Sequence, residues 1–254
     1  MLRRRFLVSL MAFFFCWTIS AQIVNIEDRR TNLDTLGWIG RIDLGGRYTR
    51  NISEILTLNA SLRLDQFGPK HHWLILANYR TAESNGNRFI DSGYAHLRYD
   101  RELSDKWSWE AFTQWQFDQN LKLDARWLLG TGPRFSLSEG SKGSINMGLL
   151  YMLEYDDIKD RQLFFTDHRL SAYLSLKWKI SPTTTISSTS YYQPRLLNFD
   201  LPRINSVTTI AFDISKAFQF TTSFYLTRDA RINDLFPEIP SLTYTWSNSL
   251  RFNF

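Results

Sequence analysis

Apolar and polar residues alternate one by one along most of this chain, and that period of two predicts β-strands with one apolar face and one polar face. Leu56, Leu58, Ala60, Leu62 and Leu64 fall on one face of a segment whose other face carries Thr57, Asn59, Ser61, Arg63 and Asp65. Phe218, Phe220, Phe224 and Leu226 likewise oppose Gln219, Thr221, Ser223 and Thr227. Leu121, Leu123, Ala125, Trp127 and Leu129 oppose Lys122, Asp124 and Arg126, so Leu123 is expected on the apolar face and Lys122 and Asp124 on the polar one. Read throughout, the pattern predicts about twelve strands, at 37–49, 54–65, 72–81, 89–100, 107–117, 121–134, 144–155, 167–179, 183–194, 203–215, 217–227 and 242–254. The last of them carries Leu242, Tyr244, Trp246, Leu250, Phe252 and Phe254 in one row, broken only by Asn248.

Aromatics gather near both ends of the apolar faces, at Trp38 and Tyr48, Trp73 and Tyr79, Trp107 and Trp115, and Tyr192. Two aromatic girdles flanking an apolar band mark a barrel that crosses a membrane. Trp127 and Trp246 share that apolar face. Proline agrees: Pro69, Pro182, Pro202, Pro237 and Pro240 fall in connections, and Pro133 and Pro194 at strand ends, where no ladder hydrogen bond is lost. In the second half, short turns at Ser181-Pro182 and Ser215-Lys216 alternate with longer segments at 156–165, 195–202 and 228–241. The first half is less regular, since 50–53 is short and 137–143 long for their expected sides. The expected fold is therefore all-β, a transmembrane antiparallel up-and-down β-barrel over residues 37–254, in one domain.

The N-terminus changes the compartment. Arg3, Arg4 and Arg5 precede an apolar run from Phe6 to Ile19 and the small residues Ser20 and Ala21, the layout of a secretory signal peptide. Residues 1–21 are read as that signal and 22–36 as a periplasmic segment. Cys16 lies within the signal, so the expected mature chain has no thiol. Loss of three arginines takes Lys+Arg from 30 to 27 against 25 Asp+Glu, leaving a net charge of about +2 and no case for nucleic-acid binding. An exported chain rich in aromatics and without an apolar run long enough for a spanning helix is expected in the outer membrane of a Gram-negative bacterium. A closed barrel meets the bilayer's demand for internal backbone hydrogen bonds. The terminal row Tyr244, Trp246, Leu250, Phe252 and Phe254 resembles the signal read by the barrel-insertion machinery, which with outer-membrane lipid makes up the expected partners of a monomer.

If the apolar face meets lipid, the polar face lines a lumen. Its charged residues are Arg41, Asp43, Arg47, Arg63, Asp65, Arg80, Arg98, Glu110, Lys122, Asp124, Arg126, Arg134, Glu154, Arg169, Lys177, Asp213 and Arg251. Two readings follow. The basic excess could conduct small ions, anions above all, or the charges could pair into salt bridges that plug the barrel.

Chemistry is sparse. His168 and Ser171 are three apart and so fall on opposite faces; Glu83-Ser84-Asn85-Gly86 is similar to part of a phospholipase motif, with Ala82 where the histidine belongs. His96 alternates with Tyr94 and Arg98 as a lumen residue, and His71 and His72 flank a strand start. Asp156, Asp157 and Asp160 could meet a divalent cation in an outer loop, where a solvated loop explains them as well. Gly130-Thr131-Gly132-Pro133-Arg134 lacks the Lys-Ser/Thr of a phosphate loop. Neither catalysis, a cofactor nor a metal is expected. A lipid-modifying enzyme of the outer membrane and a secreted β-sandwich that binds a partner are the competing classes.

Five segments carry a resemblance: Trp109-Glu110-Ala111-Phe112-Thr113-Gln114, Leu129-Gly130-Thr131-Gly132-Pro133-Arg134, Tyr151-Met152-Leu153-Glu154-Tyr155, Asp167 through Leu174, and Tyr191-Tyr192-Gln193-Pro194. Together they resemble a family of uncharacterised outer-membrane barrels labelled salt-induced outer-membrane proteins, a domain of unknown function, in its Bacteroidetes-like branch. The resemblance implies a barrel and a location, with no reaction or substrate. It also implies that Glu110, Arg134, Glu154, His168 and Arg169 belong to the family pattern. With Arg126, the four of these on the polar face (Glu110, Arg134, Glu154 and Arg169) form the expected charged cluster.

Overall fold

The computed structural model describes residues 36–158, 163–215 and 217–252. The proposed signal peptide, most of the segment 22–36, Asp160, Lys216 and Phe254 lie outside them. Twelve strands follow one another: β1 (Gly37–Arg50), β2 (Glu54–Phe67), β3 (His71–Ser84), β4 (Asn87–Ser104), β5 (Trp107–Asp118), β6 (Leu123–Gly140), β7 (Gly143–Ile158), β8 (Leu163–Ser181), β9 (Thr184–Gln193), β10 (Arg203–Asp213), β11 (Phe218–Asp229) and β12 (Leu242–Phe252). Each pairs antiparallel with its sequence neighbours in one up-and-down sheet, as the alternation predicts. Among the described residues no ladder joins β1 to β12, so these two strands are the sheet's edges.

The sheet is rolled. Arg126 on β6 reaches Asp229 on β11, and Glu154 on β7 reaches Arg203 on β10. Five strand spacings in a flat sheet would cover about 24 Å, far beyond the reach of an arginine. Rolling separates two faces. Apolar side chains such as Leu44, Leu129 and Trp246 point outward and stay exposed, while Leu76, Arg98, Glu110, Glu154 and Arg169 are buried within. The outward hydroxyls pair with neighbours across the strands: Ser188 with Thr208, Ser190 with Ser206, and the indole N–H groups of Trp109 and Trp246 with Thr131 and Thr222.

The connections sort by end. At one end lie short turns, including 105–106, 141–142 and 182–183; at the other lie the long segments 194–202 and 230–241. We call these the turn end and the loop end. The apparent irregularity at 137–143 vanishes because β6 continues to Gly140 and leaves a tight turn. Of the six tryptophans expected on the lipid-facing surface and its girdles, Trp38, Trp73 and Trp107 sit near the turn end and Trp115, Trp127 and Trp246 toward the loop end; Trp115 is half-buried and the others are exposed.

One expectation about faces is corrected. β6 begins at Leu123, after a short 3-10 turn at Gln119–Leu121 that is closed by Lys122 in the left-handed region, φ 55°. Its register on β7 then jumps from Leu123↔Ile158 to Ala125↔Asp157, leaving Asp124 as the extra residue of a bulge. The bulge inverts the phase. Leu123 turns inward and is buried, Asp124 is exposed, and Lys122 belongs to the turn, so neither charge lines the lumen.

The second departure is a helix, α1 (Ala230–Leu235), inside the longest connection. Ile232 and Phe236 pack with Leu123 and Ile158 in a buried cluster flanked by Leu163, Phe165 and Ile239. A segment leaving β11 therefore lies against β6, β7 and β8 at the loop end, folded over the mouth.

Gly132 is inward on β6, with the Leu149–Leu150 backbone of β7 beside it. A Cβ there would collide with the Leu149 carbonyl and lie 2.7 Å from Leu150 Cα, both backbone atoms that cannot swing aside. Gly132→Ala should cost about 1–3 kcal/mol through overpacking. Gly140→Ala, whose added carbon meets nothing within 4 Å, should be near neutral. Urea midpoints of the two refolded variants, followed by gel mobility without heating, test the difference.

Candidate functional site

The interior chemistry is built from arginines and carboxylates at alternate strand positions. Because alternation aims them all inward, each must find a counter-charge across the lumen, on the adjacent strand or two residues along its own strand. Glu110, Arg126, Arg134, Glu154 and Arg169 are all buried, and the structure divides them between two clusters.

The first lies toward the loop end. Arg126 Nε donates to Asp156 Oδ1 at 2.7 Å and its Nη2 lies 3.4 Å from Asp229 Oδ2. Glu154, fully buried, receives Arg169 Nε at 3.1 Å and both Nη atoms of Arg203, at 2.6 and 3.0 Å. Arg203 Nε also donates to Asp229 at 3.1 Å. Arg169 Nη1 donates to the backbone carbonyls of Gln193 and Leu201, tying the β9–β10 connection to the wall. From α1, Arg231 pairs with Asp167, lies 3.6–3.7 Å from Asp156 and Glu154, and stacks over Phe165 at 4.8 Å. Four guanidinium groups thus meet four carboxylates. In the β9–β10 connection, hydrogen bonding from Arg195 holds the Asp200 carboxyl below its ordinary pKa.

The second cluster lies toward the turn end. Arg98 pairs with Glu110 and, at 3.0 Å, with Asp100. Tyr173 on β8 donates to Glu110 at 2.8 Å while its oxygen accepts from Arg134 at 3.1 Å and from Arg98 at 3.3 Å. Arg134 Nη1 itself lies 3.7 Å from Glu110. The chain of contacts continues along one wall through His72, which bridges Asp100 and Asp65, to Arg63 at 2.6 Å from Asp65.

Other expected positions fall elsewhere. Arg41 and Asp43 pair with one another at 2.8 Å on exposed β1. Lys177 and Asp213 are exposed. His168 is outward, its Nδ1 2.5 Å from the Tyr151 hydroxyl, whereas Ser171 is buried inside. Asp156, read from the sequence as a loop residue, is on β7 and buried against Arg126. The terminal row Tyr244, Trp246, Leu250 and Phe252 is exposed along β12.

Sequence reading missed Arg203, Asp229, Arg231 and Tyr173. Arg203 and Tyr173 could have been found, since each alternates in phase with inward neighbours: Asn205 and Thr209 on β10, Arg169 and Ser171 on β8. Arg231 lies in a connection, where a period of two carries no information.

A family model described as Protein of unknown function, DUF481, matches residues 42–234. The chain belongs to this family. The match spans β1 through α1, so every residue of both DUF481 clusters lies within it. No curated protein matches the sequence. Two solved structures are similar. "NanC porin structure in rhombohedral crystal form" has 10% identity and a TM-score of 0.46, covering 84% of this chain and 99% of its own. "KdgM porin" has 10% identity and a TM-score of 0.40, covering 85% and 99%.

Glu154 is the counter-charge for three guanidinium groups in this DUF481 chain, so its removal strands buried cations. Glu154→Ala should destabilise the fold by about 3–5 kcal/mol. Arg203→Met combined with Glu154→Met should cost less than the two single changes added together. Urea titration of the four proteins gives the coupling, and strict additivity would show that the pair is not coupled.

Proposed function

We propose that this DUF481 protein is an outer-membrane β-barrel whose lumen is closed to ions at rest by its own charge network. The observation that carries this reading is that the network joins opposite walls. Arg126 meets Asp229, Arg203 meets Glu154 and Tyr173 meets Glu110, all buried except the partly buried Asp229. A surplus of free inward arginines would favour an anion pore; in the buried clusters the guanidinium groups and carboxylates balance. α1 adds a second barrier at the loop end through Arg231 and Ile232.

The membrane part of the reading rests on the outward face. An apolar surface of this extent calls for an apolar phase, and the paired outward hydroxyls need no water there. In this reading β1 and β12 close the wall in the bilayer, residues 1–21 direct export, and the aromatic row on β12 addresses the insertion machinery. The protein acts as a monomer among lipids, in the Bacteroidetes-like branch of a family labelled salt-induced outer-membrane proteins. A lipid-modifying enzyme is the weaker reading because His168 faces outward and Ser171 is buried within. A narrow channel is the second reading, favoured by a cavity between the two clusters.

In a planar bilayer, refolded wild-type protein should give no discrete current steps. Arg203→Ala with Arg231→Ala, if it migrates as a folded band, should give steps. Large steady currents from the wild type would overturn the closed-lumen reading.

The outward face has its own test. Leu129→Arg should destabilise by about 2–4 kcal/mol if that side chain lies near the bilayer midplane, and Asp124→Arg near the loop end by about 0–1 kcal/mol. Folding titrations into lipid vesicles compare them, and equal tolerance would remove the bilayer from this face.

A further inference from the structure

Between the two ion-pair clusters the lumen holds a cavity of about 40 Å³, room for about three water molecules. Its wall combines His96, Gln114, Gln116, Ser171 and Gln193 with the rings of Phe112, Tyr173 and Tyr191. The hydrogen bonds around it run in one direction. Gln114 donates through Nε2 to Gln116 Oε1 at 2.6 Å, so its own Oε1 accepts from His96 Nδ1 at 3.0 Å. In the neutral imidazole, Nε2 is then a bare acceptor. Gln193 donates through Nε2 to Ser171 Oγ at 2.9 Å, which leaves its Oε1 as an acceptor and the Ser171 hydroxyl hydrogen free to donate. His96 and Gln193 are 2% and 4% exposed, and neither His96 Nε2 nor Gln193 Oε1 has a partner among the protein groups.

We propose that this cavity is a binding site for a small uncharged solute that both donates and accepts hydrogen bonds, a small primary amide. Two buried acceptors demand donors from the ligand, and Ser171 can return a hydrogen bond to its carbonyl oxygen. An anion is rejected by the lone pairs of His96 and Gln193. A cation gains no free counter-charge, because Glu110, the one carboxylate that borders the space, is paired with Arg98, and Arg126 and Arg203 border it as well. The rings of Tyr173 and Tyr191, 5.3 Å apart, and of Phe112 beside His96 give apolar faces for the carbon atoms. The site deepens the closed-lumen reading, since the network that stops ions leaves a neutral chamber at its centre.

The test is saturation-transfer NMR on the refolded full chain in detergent, with acetamide and formamide as probes and acetate as the charged isostere of acetamide. Acetamide and formamide should receive saturation and acetate none. Gln193→Leu should weaken the acetamide response about fivefold, the loss of one hydrogen bond, and His96→Gln, which keeps an acceptor, should retain it. Should Gln193→Leu not reach the folded band, Ser171→Ala removes the returning donor and should weaken acetamide likewise. Equal transfer to acetate, undiminished acetamide in the variant that folds, or no transfer to any probe (a chamber for water only) overturns the site. Bilayer currents report separately: conduction with intact acetamide binding defeats the closed lumen alone, and silence without binding defeats the site alone.

Discussion

A guanidinium group buried inside a rolled sheet must face a carboxylate, and the interior of this protein is organised by that requirement. Desolvating each ion costs several kcal/mol, and mutual attraction offsets the cost only where geometry and extra hydrogen bonds are good. Glu154 meets the condition by taking Arg169 from its neighbouring strand and Arg203 from across the lumen, with Arg231 close by from the loop. No single strand supplies all of the Glu154 partners. The network therefore fixes how tightly the sheet rolls, because Arg126 and Asp229 must lie within one side-chain length while sitting five strands apart in the order.

The bulge at Asp124 and the helix α1 act as one device. Without the inverted phase, Leu123 would point outward and Ile232 would lose its main partner on β6. With it, Leu123 and Ile158 offer an apolar seat at the rim, and Ile232 and Phe236 fill it. That seat brings Arg231 within reach of three acids deeper in the mouth. Hydrophobic burial thus positions the loop, and charge locks it. The loop end is consequently crowded, whereas the inward positions of β9 to β12 toward the turn end carry small side chains, such as Ser187, Thr209, Ser223 and Ser247.

Most of the wall was legible in the sequence because alternation is a local signal. Strand positions, outward tryptophans and the inward placement of Glu110, Arg126, Arg134, Glu154 and Arg169 all follow from a period of two. Alternation fails where the backbone departs from it. At Lys122 and Asp124 a left-handed residue and a bulge shift the phase, and no residue there is a glycine to announce it. Partner choice was not legible either, since alternation says which way Arg169 points but not that Glu154 rather than Asp156 receives it. Asp156 was misplaced in a loop because the polar run Asp156-Asp157 hides an inward residue that continues β7 to Ile158.

The two faces answer the same physical problem with different means. Outside, single polar atoms such as the hydroxyls of Ser188 and Ser190 are satisfied in isolated pairs between adjacent strands, as the proposed lipid-facing wall would require. Inside, satisfaction is collective and nearly complete, and it fails at a few places. Two of them, His96 Nε2 and Gln193 Oε1, belong to residues that line one cavity between the clusters. A purely structural plug gains nothing by leaving two acceptors of one cavity's wall without protein partners, since each costs about 1–3 kcal/mol if it stays unpaired. Apolar residues of similar volume would fill that space at lower cost. The remaining polarity is therefore best explained by an occupant that supplies the missing donors, held where the surrounding charges cancel.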